Sequence, residues 1–497
     1  MIPTKALRRK LDYQLLRWQA RLDGAWADRV LPISAAIGLF VVLVALSLAQ
    51  ARNLGNGAEL ARWVQGAFYL TSGHDPELTL TGTNLFEREG AFGYALLAQG
   101  THVVAAIPFL LVVQSAALAL GTIPIWRLCR KVCSLRAGAA GAAVTAYALY
   151  PPMHQLNLAD FHPEVLAVPL LLAGAYAGFR GHWWWATLFC VAAVSMRADL
   201  GLVVAAIGVV LIIDTRTRQA PRFILGGVVW TLVSILLIQP AFGDGSFVHA
   251  EAFAPYGTTL PDVMWGMLTD PLGVAADLVE RANFAALVAV FAPVAFLPLL
   301  APRYLLPIAP VVATIFVADV ATTGPEGAAN LVPLLVFVFL ALPFALARLG
   351  RRNIERITVD RRLLGALTLA AAVFFIHDAP ASPYHEPWGW GGRSLADQAR
   401  LDAIEIVESD DRVRATRPAL ADLASREVLV VAEDRADIGG RELTAGVDAL
   451  LLDETVTGAW NQFRLRGVVR AVEEQGFELT YQRHGVRLFL RSERADP

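Results

Sequence analysis

Apolar runs long enough to cross a membrane recur along the first three quarters of this chain. A bilayer core about 30 Å thick needs about 20 apolar residues in a helix, and backbone groups inside it must be hydrogen-bonded internally. The runs occupy residues 31–50, 92–127, 137–150, 164–180, 183–213, 223–240, 284–301, 304–320, 331–347 and 363–377. We therefore expect a mostly α, polytopic membrane protein.

Two of these runs do not fit a single span. The 92–127 run is too long, and we expect a partly embedded segment before Ile107. Arg197 and Asp199 interrupt the 183–213 run, and charged residues at membrane depth are expensive. We expect that run to form two short spans meeting at a membrane surface, which brings the total to about eleven spans.

The last quarter of the chain has a different composition. Residues 378–497 hold 22 of the 44 acidic residues, 15 arginines and no lysine. A Pro- and Gly-rich linker is predicted at 378–395. Helix patterns at 396–407 and 460–475 alternate with strand patterns at 427–432, 447–452, 477–482 and 486–491. Residues 396–497 are therefore predicted to form a small α/β domain, with a hairpin across Arg483-His484-Gly485.

Basic residues predict the orientation in the membrane, since Lys and Arg accumulate on the cytoplasmic side. With eleven spans, the basic clusters all fall on one side: the N-terminus, Arg127 to Arg136, Arg180, Arg216 to Arg222, Arg303, and Arg348 to Arg362. We expect a cytoplasmic N-terminus (1–30), a membrane domain (31–377) in the cytoplasmic (inner) membrane, and an extracytoplasmic tail. The formal net charge of −2 argues against a nucleic-acid partner.

Polar residues that could carry chemistry lie in the predicted outer loops. The first loop, 51–91, is long and acidic, and long loops are often functional. Its stretch Ala58 to Leu70 has the spacing of an amphipathic helix lying at the membrane interface. The loop 241–283, with His249, is expected to be partly helical and to cover a cavity.

A second cluster, Asp160-Phe161-His162-Pro163-Glu164, lies between two spans and close to Asn157. Its carboxylates and imidazole could hold a divalent cation or a sugar hydroxyl. The alternative is a polar cap where the next helix starts, with Pro163 in its first turn and Asp160 as the cap. Arg197 presents a similar choice, between an anchor for a lipid phosphate and an internal pair with Asp199.

These motifs resemble those of a bacterial membrane protein family, domain of unknown function 2079. The resemblance is carried by Asn53-Leu54-Gly55, by the box around Asp160, by Arg197-Ala198-Asp199-Leu200-Gly201 and by the tail segment Val413 to Arg426. That family in turn resembles polytopic glycosyltransferases of the GT-C type. Those enzymes take sugars from polyprenyl-phosphate carriers at the outer membrane face, with an acidic catalytic residue in the first outer loop.

The resemblance implies a set of candidate residues. The candidate catalytic carboxylates are Glu59, Glu89 and Asp160. The candidate substrate-binding residues are Asn53, Asn157, His162, Glu164, Arg197, Asp199 and His249. Asp160, His162 and Glu164 are also the candidate ligands of a divalent cation, the one cofactor suggested. Membrane lipid and a polyprenyl-phosphate sugar donor are the expected partners.

The chain departs from the family pattern where an acid is expected. Asn53 replaces the usual first-loop Asp, and Ala58 occupies a later acidic position. An amide does not titrate in the useful range, so Asn53 cannot serve as a base and another carboxylate must do so. Three functions therefore stay open: a glycosyltransferase, a non-catalytic glycolipid-binding or scaffold protein, and a transporter.

Overall fold

The computed structural model describes residues 23–353, 356–385, 392–432, 440–456 and 462–492. Residues 1–22 of the predicted basic N-terminus, residues 386–391 of the predicted linker and the first two residues of the predicted 460–475 helix lie outside this described part. The rest of each predicted element can be compared directly with the structure.

Helices dominate the first 378 residues. They are α1 Ala25–Arg52, α2 Ala58–Ser72, α3 Gly93–Ala98, α4 Ala106–Leu120, α5 Thr122–Arg127, α6 Ala137–Ala148, α7 Pro151–Leu158, α8 Ala167–Phe179, α9 Trp183–Val194, α10 Leu200–Thr215, α11 Pro221–Val233, α12 Gln239–Phe242, α13 Leu260–Thr269, α14 Pro271–Leu278, α15 Arg281–Phe291, α16 Pro302–Leu305, α17 Ala309–Val317, α18 Gly324–Asn330, α19 Val332–Leu349 and α20 Arg361–Asp378. Two short hairpins accompany them, β1 Glu77–Leu78 with β2 Thr83–Asn84, and β3 Arg351–Asn353 with β4 Arg356–Thr358.

Every predicted apolar run contains helix. In the described part of the chain, four helical stretches are long and apolar enough to cross a membrane: Ala25–Arg52, Ala106–Val132, Pro221–Phe242 and Val332–Leu349. Five shorter apolar helices accompany them: Pro163–Phe179, Trp183–Val194, Leu200–Thr215, Arg281–Val294 and Pro302–Val317. The runs 137–150 and 363–377 are helical as well, as α6 and α20.

Both irregular runs divide where the sequence predicts. The long run begins with the short helix α3 and a 3-10 turn, and the spanning helix starts only at Ala106. The 183–213 run breaks at Ser195–Asp199, between α9 and α10. The break is stabilised because Arg197 and Asp199 pair with each other there, with Nε–Oδ1 and Nη2–Oδ2 distances of 2.6 and 2.9 Å.

The core of the bundle is built around α19. Its side chains are buried along nearly the whole helix, from Val332 to Leu346, and one continuous apolar cluster joins it to the surrounding spans. A helix that is apolar all round is buried in this way. The remaining spans keep many large apolar side chains exposed, as a lipid-facing surface requires.

The tail forms the expected α/β domain. Its helices are α21 Leu395–Ile406, α22 Leu420–Leu423, α23 Gly440–Thr444 and α24 Gln462–Glu473, and its strands are β5 Val413–Ala415, β6 Leu429–Val431, β7 Ala449–Asp453, β8 Phe477–Arg483 and β9 Val486–Arg491. The strands form one sheet in the order β6-β5-β7-β9-β8. Strand β5 lies parallel to β6 and β7, and β9 is antiparallel to β7 and β8.

The hairpin between β8 and β9 is confirmed. Arg483 pairs with Val486, and the two residues between them, His484 and Gly485, have φ of 46° and 85°. Positive φ at both central positions is the geometry that matches the twist of a two-residue hairpin. The sequence did not predict β5, because three residues that include Arg414 give too short an alternation to recognise.

Loops of opposite character lie at opposite ends of the bundle. At one end the Arg130 guanidinium binds Asp23 and Asp28, with N–O distances of 2.9 and 2.6 Å. The Arg136 N–H donates to the Ile357 carbonyl at 3.1 Å there, so the basic loops meet. The acidic first loop, the 160–164 box and the 195–199 turn gather at the other end, where the tail domain also docks.

Helix α2 confirms the predicted helix in the first loop but not its predicted place at the membrane interface. Its side chains from Leu60 to Ala67 are all buried. One apolar cluster joins α2 to the tail residues Ala403, Leu420 and Leu429. The Gln65 side chain donates to the Arg426 carbonyl at 3.4 Å. The helix is therefore enclosed between the bundle and the tail domain.

Candidate functional site

A cavity of about 610 Å³ lies at the acidic end of the bundle. Seven of the ten candidate residues line it: Glu59, Glu89, His162, Glu164, Arg197, Asp199 and His249. Seven further polar residues that the sequence did not single out also line it: Arg62, Arg88, Thr231, Gln239, Thr314, Glu326 and Asn330. The sequence thus predicted half of the polar wall, although the residues come from five separate segments.

Helix α2 presents Glu59 to the cavity. Its first turn is fixed by Asp160, whose carboxylate accepts from the Gly57 N–H at 2.8 Å and from the Glu59 N–H at 3.2 Å. Asn56 donates a third bond to the same carboxylate at 3.3 Å. Asp160 therefore caps a helix that lies about a hundred residues away in sequence, where the N-cap Gly57 has no side chain to do so.

Because its carboxylate caps α2, Asp160 does not form a shared ligand group with His162 and Glu164. Its carboxylate points to the start of α2, whereas the His162 ring and the Glu164 carboxylate approach each other at 3.6 Å. In the described part of the chain, no three His, Cys, Asp or Glu side chains are close enough together to hold a metal ion. Asp160 caps α2 and not the helix that starts at Pro163, where the sequence predicts the cap; that helix has no side-chain cap hydrogen bond.

Arg62 links the two first-loop carboxylates. Its Nη1 lies 2.7 Å from Glu89 Oε1 and 3.4 Å from Glu59 Oε2. The Glu59 side chain is 46% exposed, and its exposed surface faces the cavity, whereas that of Glu89 is 21% exposed. Burial raises the pKa of Glu59, Arg62 lowers it, and the nearby Glu89 charge raises it. The net shift is upward, so Glu59 is a stronger base than an ordinary glutamate.

The end of the first loop is held against the turn between α9 and α10. The Ala198 N–H donates to the Glu89 carbonyl at 2.8 Å, and the Gly93 N–H donates to the Ser195 carbonyl at 2.7 Å. A side chain at Gly93 would meet Met196 and Ser195 at 2.5 Å, so only glycine permits this approach. The contacts fix Glu89 next to Arg197.

Arg197 is occupied by its own neighbours. Besides the two bonds to Asp199, its Nη1 lies 3.1 Å from Glu164 Oε1 and 3.2 Å from the Ala329 carbonyl oxygen. Its side chain is only 12% exposed. The internal pairing that the sequence left open as an alternative is thus the arrangement in the structure.

Arg88 differs from the other two arginines of the cavity. Its side chain is exposed, and the contacts of the described residues include no carboxylate partner for it. Its backbone is fixed because Gln239 donates to its carbonyl at 2.8 Å. Burial and the nearby Arg88 charge lower the pKa of His249, so this imidazole is neutral beside a cation.

His162 carries a positive charge at neutral pH. Burial alone would lower its pKa, but the hydrogen bond and charge of Glu164, together with Glu59 and Glu89, raise the pKa of His162 to about 9. Its backbone N–H donates to Gln114 at 2.9 Å, which fixes the box against α4. The polar end of the cavity therefore alternates carboxylates with cations.

The other end of the cavity is apolar. Spans and the 241–283 segment line it together, with Ile235, Phe253, Leu260, Val263 and Met267. As predicted, that segment is partly helical and covers a cavity. The arrangement suits a ligand with a charged head and a hydrocarbon tail.

Two candidate residues lie elsewhere. Asn157 is fully buried, donates to the Leu43 carbonyl at 3.0 Å and accepts from Ser115 at 2.8 Å, so it joins three helices. Asn53 lines a separate, smaller cavity of about 350 Å³, with Gln50 and Gln155. Neither side chain is placed to act on a molecule in the large cavity.

The model of a protein family described as "Predicted membrane protein (DUF2079)" matches residues 59–487, most of this chain. The chain belongs to this family. No protein with a curated description is significantly similar in sequence. The family match covers α2, every lining residue of the large cavity, and most of the tail.

Solved structures establish the fold. The structure of ArnT from Cupriavidus metallidurans bound to undecaprenyl phosphate has a TM-score of 0.56 and 11% identity, over 94% of this chain and 98% of that one. The apo form of ArnT from Cupriavidus metallidurans gives 0.53 and 12%, over 93% of this chain and all of that one. ArnT is a GT-C glycosyltransferase. This DUF2079 protein therefore has a GT-C-like fold with a small C-terminal α/β domain.

Proposed function

We propose that this protein transfers a sugar from a polyprenyl-phosphate carrier to an acceptor hydroxyl at the outer face of the cytoplasmic membrane. The observation that carries the proposal is the cavity in which paired carboxylates and an uncommitted arginine meet an apolar wall built from membrane spans. Undecaprenyl phosphate bound to ArnT, a protein of similar fold, supports the same class of ligand.

The residues divide the reaction between them. The acceptor hydroxyl oxygen attacks the anomeric carbon while Glu59 takes the proton from that hydroxyl. Glu59 suits this role because it is more exposed than Glu89 and because its pKa is raised above that of an ordinary glutamate. The bond from that carbon to the phosphate oxygen breaks with inversion, and the polyprenyl phosphate departs with the electron pair. Glu89, held by Arg62, remains a charged neighbour that supports the basicity of Glu59.

Arg88 is proposed to hold the phosphate. A guanidinium binds phosphate with two hydrogen bonds, but those of Arg62 and Arg197 are engaged with carboxylates. Arg88 lines the cavity without such a partner in the described part of the chain, and protonated His162 adds positive charge to the same wall. Arg197 is then a positioning residue for the turn rather than a ligand of the phosphate.

The membrane position follows from the same reasoning. We propose that the end of the bundle that carries the cavity and the tail faces away from the cytoplasm, because the basic loops gather at the opposite end. The domain boundaries proposed from the sequence, with a membrane domain at 31–377 and a tail domain at 396–497, fit this arrangement.

Substitution of Arg88 tests the phosphate anchor. We expect Arg88→Ala to weaken binding of undecaprenyl phosphate by about 10- to 150-fold, because hydrogen bonds to a charged group are worth about 1.5–3 kcal/mol. Binding is measured by titration into the purified protein in detergent micelles. Arg52→Ala, which removes an exposed arginine at the end of α1 outside the cavity, is the matched control and should bind normally. Equal affinities for the two variants would remove Arg88 from the site.

The pH dependence of transfer tests Glu59 through its neighbour. Because the base must be deprotonated, activity is lost as pH falls through the Glu59 pKa, which lies above the ordinary value of 4.5. Glu89→Gln removes a negative charge that raises the pKa of Glu59. Of the two carboxylates that Arg62 contacts, only Glu59 then remains charged to pair with its guanidinium. The acidic limb of kcat/KM should therefore move to lower pH, measured relative to the maximum of each variant. An unmoved limb would mean that Glu59 is not the titrating group.

A non-catalytic glycolipid-binding protein is the second candidate. The loss of the family's first-loop Asp at Asn53 favours it, together with the position of Asn53 in a separate cavity. Such a protein would bind the lipid phosphate through Arg88 without turnover. Lipid binding that depends on Arg88, with no Glu59-dependent transfer from any polyprenyl-phosphate sugar offered, would favour this reading.

A further inference from the structure

Two short helices between the seventh and eighth spans form a hairpin. Helix α13, Leu260–Thr269, has ten residues and α14, Pro271–Leu278, has eight. At 1.5 Å per residue they rise only about 15 and 12 Å, far less than the hydrocarbon core of a bilayer. Neither helix can therefore cross the membrane.

The inner face of this hairpin is apolar and packed. Val263 is buried with Tyr256 and Val317 in a small cluster, and Met267 and Leu278 pack against it. Leu260, Val263, Met264 and Met267 also line the large cavity. Because these positions follow the three- and four-residue spacing of a helix, one face of α13 forms the roof of the cavity.

The outer face of the hairpin is apolar as well. Trp265 is 67% exposed, Leu268 72%, Leu272 82% and Val279 78%. A soluble loop helix would carry polar residues on the side that faces away from the core. Large contiguous apolar patches on a protein surface mark a binding surface. The outer face of the hairpin therefore needs an apolar partner.

The polar groups of the hairpin are compatible with a membrane surface. Asp262 accepts from the Thr259 hydroxyl at 2.6 Å, Asp270 accepts from the Gly273 N–H at 2.9 Å, and Asp277 accepts from the Tyr256 hydroxyl. Each carboxylate thus has a partner within the segment itself. Tryptophan is enriched at the level of the lipid head groups.

The exposed apolar surface continues into the neighbouring spans. Phe284, on α15 just after the hairpin, is 68% exposed, and Leu236 and Leu237, on the span before it, are 54% and 65% exposed. Leu236 and Leu237 belong to Pro221–Phe242, which is long and apolar enough to cross a membrane, and Phe284 belongs to the shorter apolar helix Arg281–Val294. Continuity with that lipid-facing surface identifies the occupant of the outer face as bilayer lipid.

The cavity reaches the surface beneath the hairpin. Met264 lines the cavity and is itself 66% exposed. Thr314, on the span α17, lines the cavity and is exposed as well, and its hydroxyl is satisfied by the Pro310 carbonyl at 3.0 Å. An opening between these two side chains would face the bilayer and lead from it to the polar end of the cavity.

We propose that the α13–α14 hairpin is embedded in the lipid leaflet beside the cavity, and that the hydrocarbon chain of the lipid phosphate passes into the cavity beneath α13, between Met264 and Thr314. The membrane position of the hairpin is inferred from the exposed apolar surface of the hairpin alone. The passage of the lipid chain rests on the proposed function, since it requires a lipid phosphate in the cavity.

The membrane position is tested by labelling single cysteines. Cys129, Cys133 and Cys190 are buried, so Leu268→Cys and Leu272→Cys each offer one accessible thiol for a fluorophore. The labelled protein is placed in phosphatidylethanolamine–phosphatidylglycerol vesicles that contain nitroxide-bearing lipids. Val41→Cys, on the first span, and Gln482→Cys, on an exposed tail strand, are the lipid and water references.

We expect labels at positions 268 and 272 to be quenched as strongly as the label at 41, and the label at 482 to keep its fluorescence. Quenching at 268 and 272 no greater than at 482 would overturn the membrane position of the hairpin. Either result is obtained without any lipid phosphate, so it does not depend on the proposed function.

The passage of the lipid is tested by photo-crosslinking with undecaprenyl phosphate in the same vesicles. A benzophenone amino acid at position 264 should capture it several-fold more than one at position 237, which faces lipid away from the cavity. Equal capture at the two positions overturns the route, and the proposed function then stands if Arg88-dependent binding persists. If no variant and no wild-type protein binds undecaprenyl phosphate, the route and the proposed function both fail, while the hairpin labels still decide its position.

Discussion

Glu59→Gln should reduce sugar transfer by about 10²- to 10⁴-fold, the usual contribution of a general base. The amide keeps the size and the hydrogen-bonding shape of the side chain but cannot take a proton. The N-terminal turn of α2 is held by the Asp160 carboxylate through backbone N–H groups, so the substitution should leave the helix in place. Single-turnover transfer from a polyprenyl-phosphate sugar measures the effect.

The control for this substitution lies in the same loop. Glu77→Gln changes an exposed carboxylate outside the cavity and should leave the rate unchanged. Binding of undecaprenyl phosphate should be retained in both variants, because the phosphate anchor is Arg88. A Glu59→Gln protein that transfers sugar at the normal rate would exclude Glu59 as the base and return attention to Glu89.

Arg197→Ala should lower the free energy of unfolding by about 3–5 kcal/mol, the cost of leaving the buried Glu164 carboxylate without its arginine partner. Asp199 would lose both of its bonds to the guanidinium, and Glu164 would lose the cation at 3.1 Å. The turn between α9 and α10 would also lose its link to the Ala329 carbonyl. Thermal and denaturant unfolding of the purified protein in detergent report the change.

Arg303→Ala is the matched control for that experiment. Arg303 binds Asp214 at 2.6 Å, but its side chain is 58% exposed, so its loss should cost only about 0–1 kcal/mol. If Arg197→Ala instead unfolds like the parent protein and fails to bind lipid phosphate, Arg197 is a phosphate ligand and the assignment to Arg88 is wrong.

The sequence could not predict which arginine of the cavity lacks a carboxylate partner, as Arg88 and Arg197 show. An arginine in an apolar run is a candidate functional residue because a charge at membrane depth is costly. In Arg197 this cost is offset by the ion pairs with Asp199 and Glu164. Arg88 lies in a loop rich in charge, where a single cation has no distinguishing pattern. Only the positions of the neighbouring carboxylates identify which guanidinium is uncommitted.

Asp160 is a similar case. The sequence placed it among three titratable groups within five residues, which suggested a shared ligand. In the structure the chain bends at Ala159–Asp160 and enters a 3-10 helix at Pro163, so that Asp160 reaches the start of α2 while His162 and Glu164 face the cavity. Adjacency in sequence does not determine which side chains converge.

Local sequence patterns were enough to predict the helical spans, the break at Arg197, the tail domain and its last hairpin. These features depend on local physics: the length of an apolar run, the cost of a buried charge and the backbone freedom of a glycine at a turn. Only the tertiary contacts show that the tail encloses α2, that Asp160 caps it, and that among the described residues no carboxylate pairs with the Arg88 guanidinium in the cavity. Those facts depend on contacts between segments up to several hundred residues apart, which local patterns do not encode.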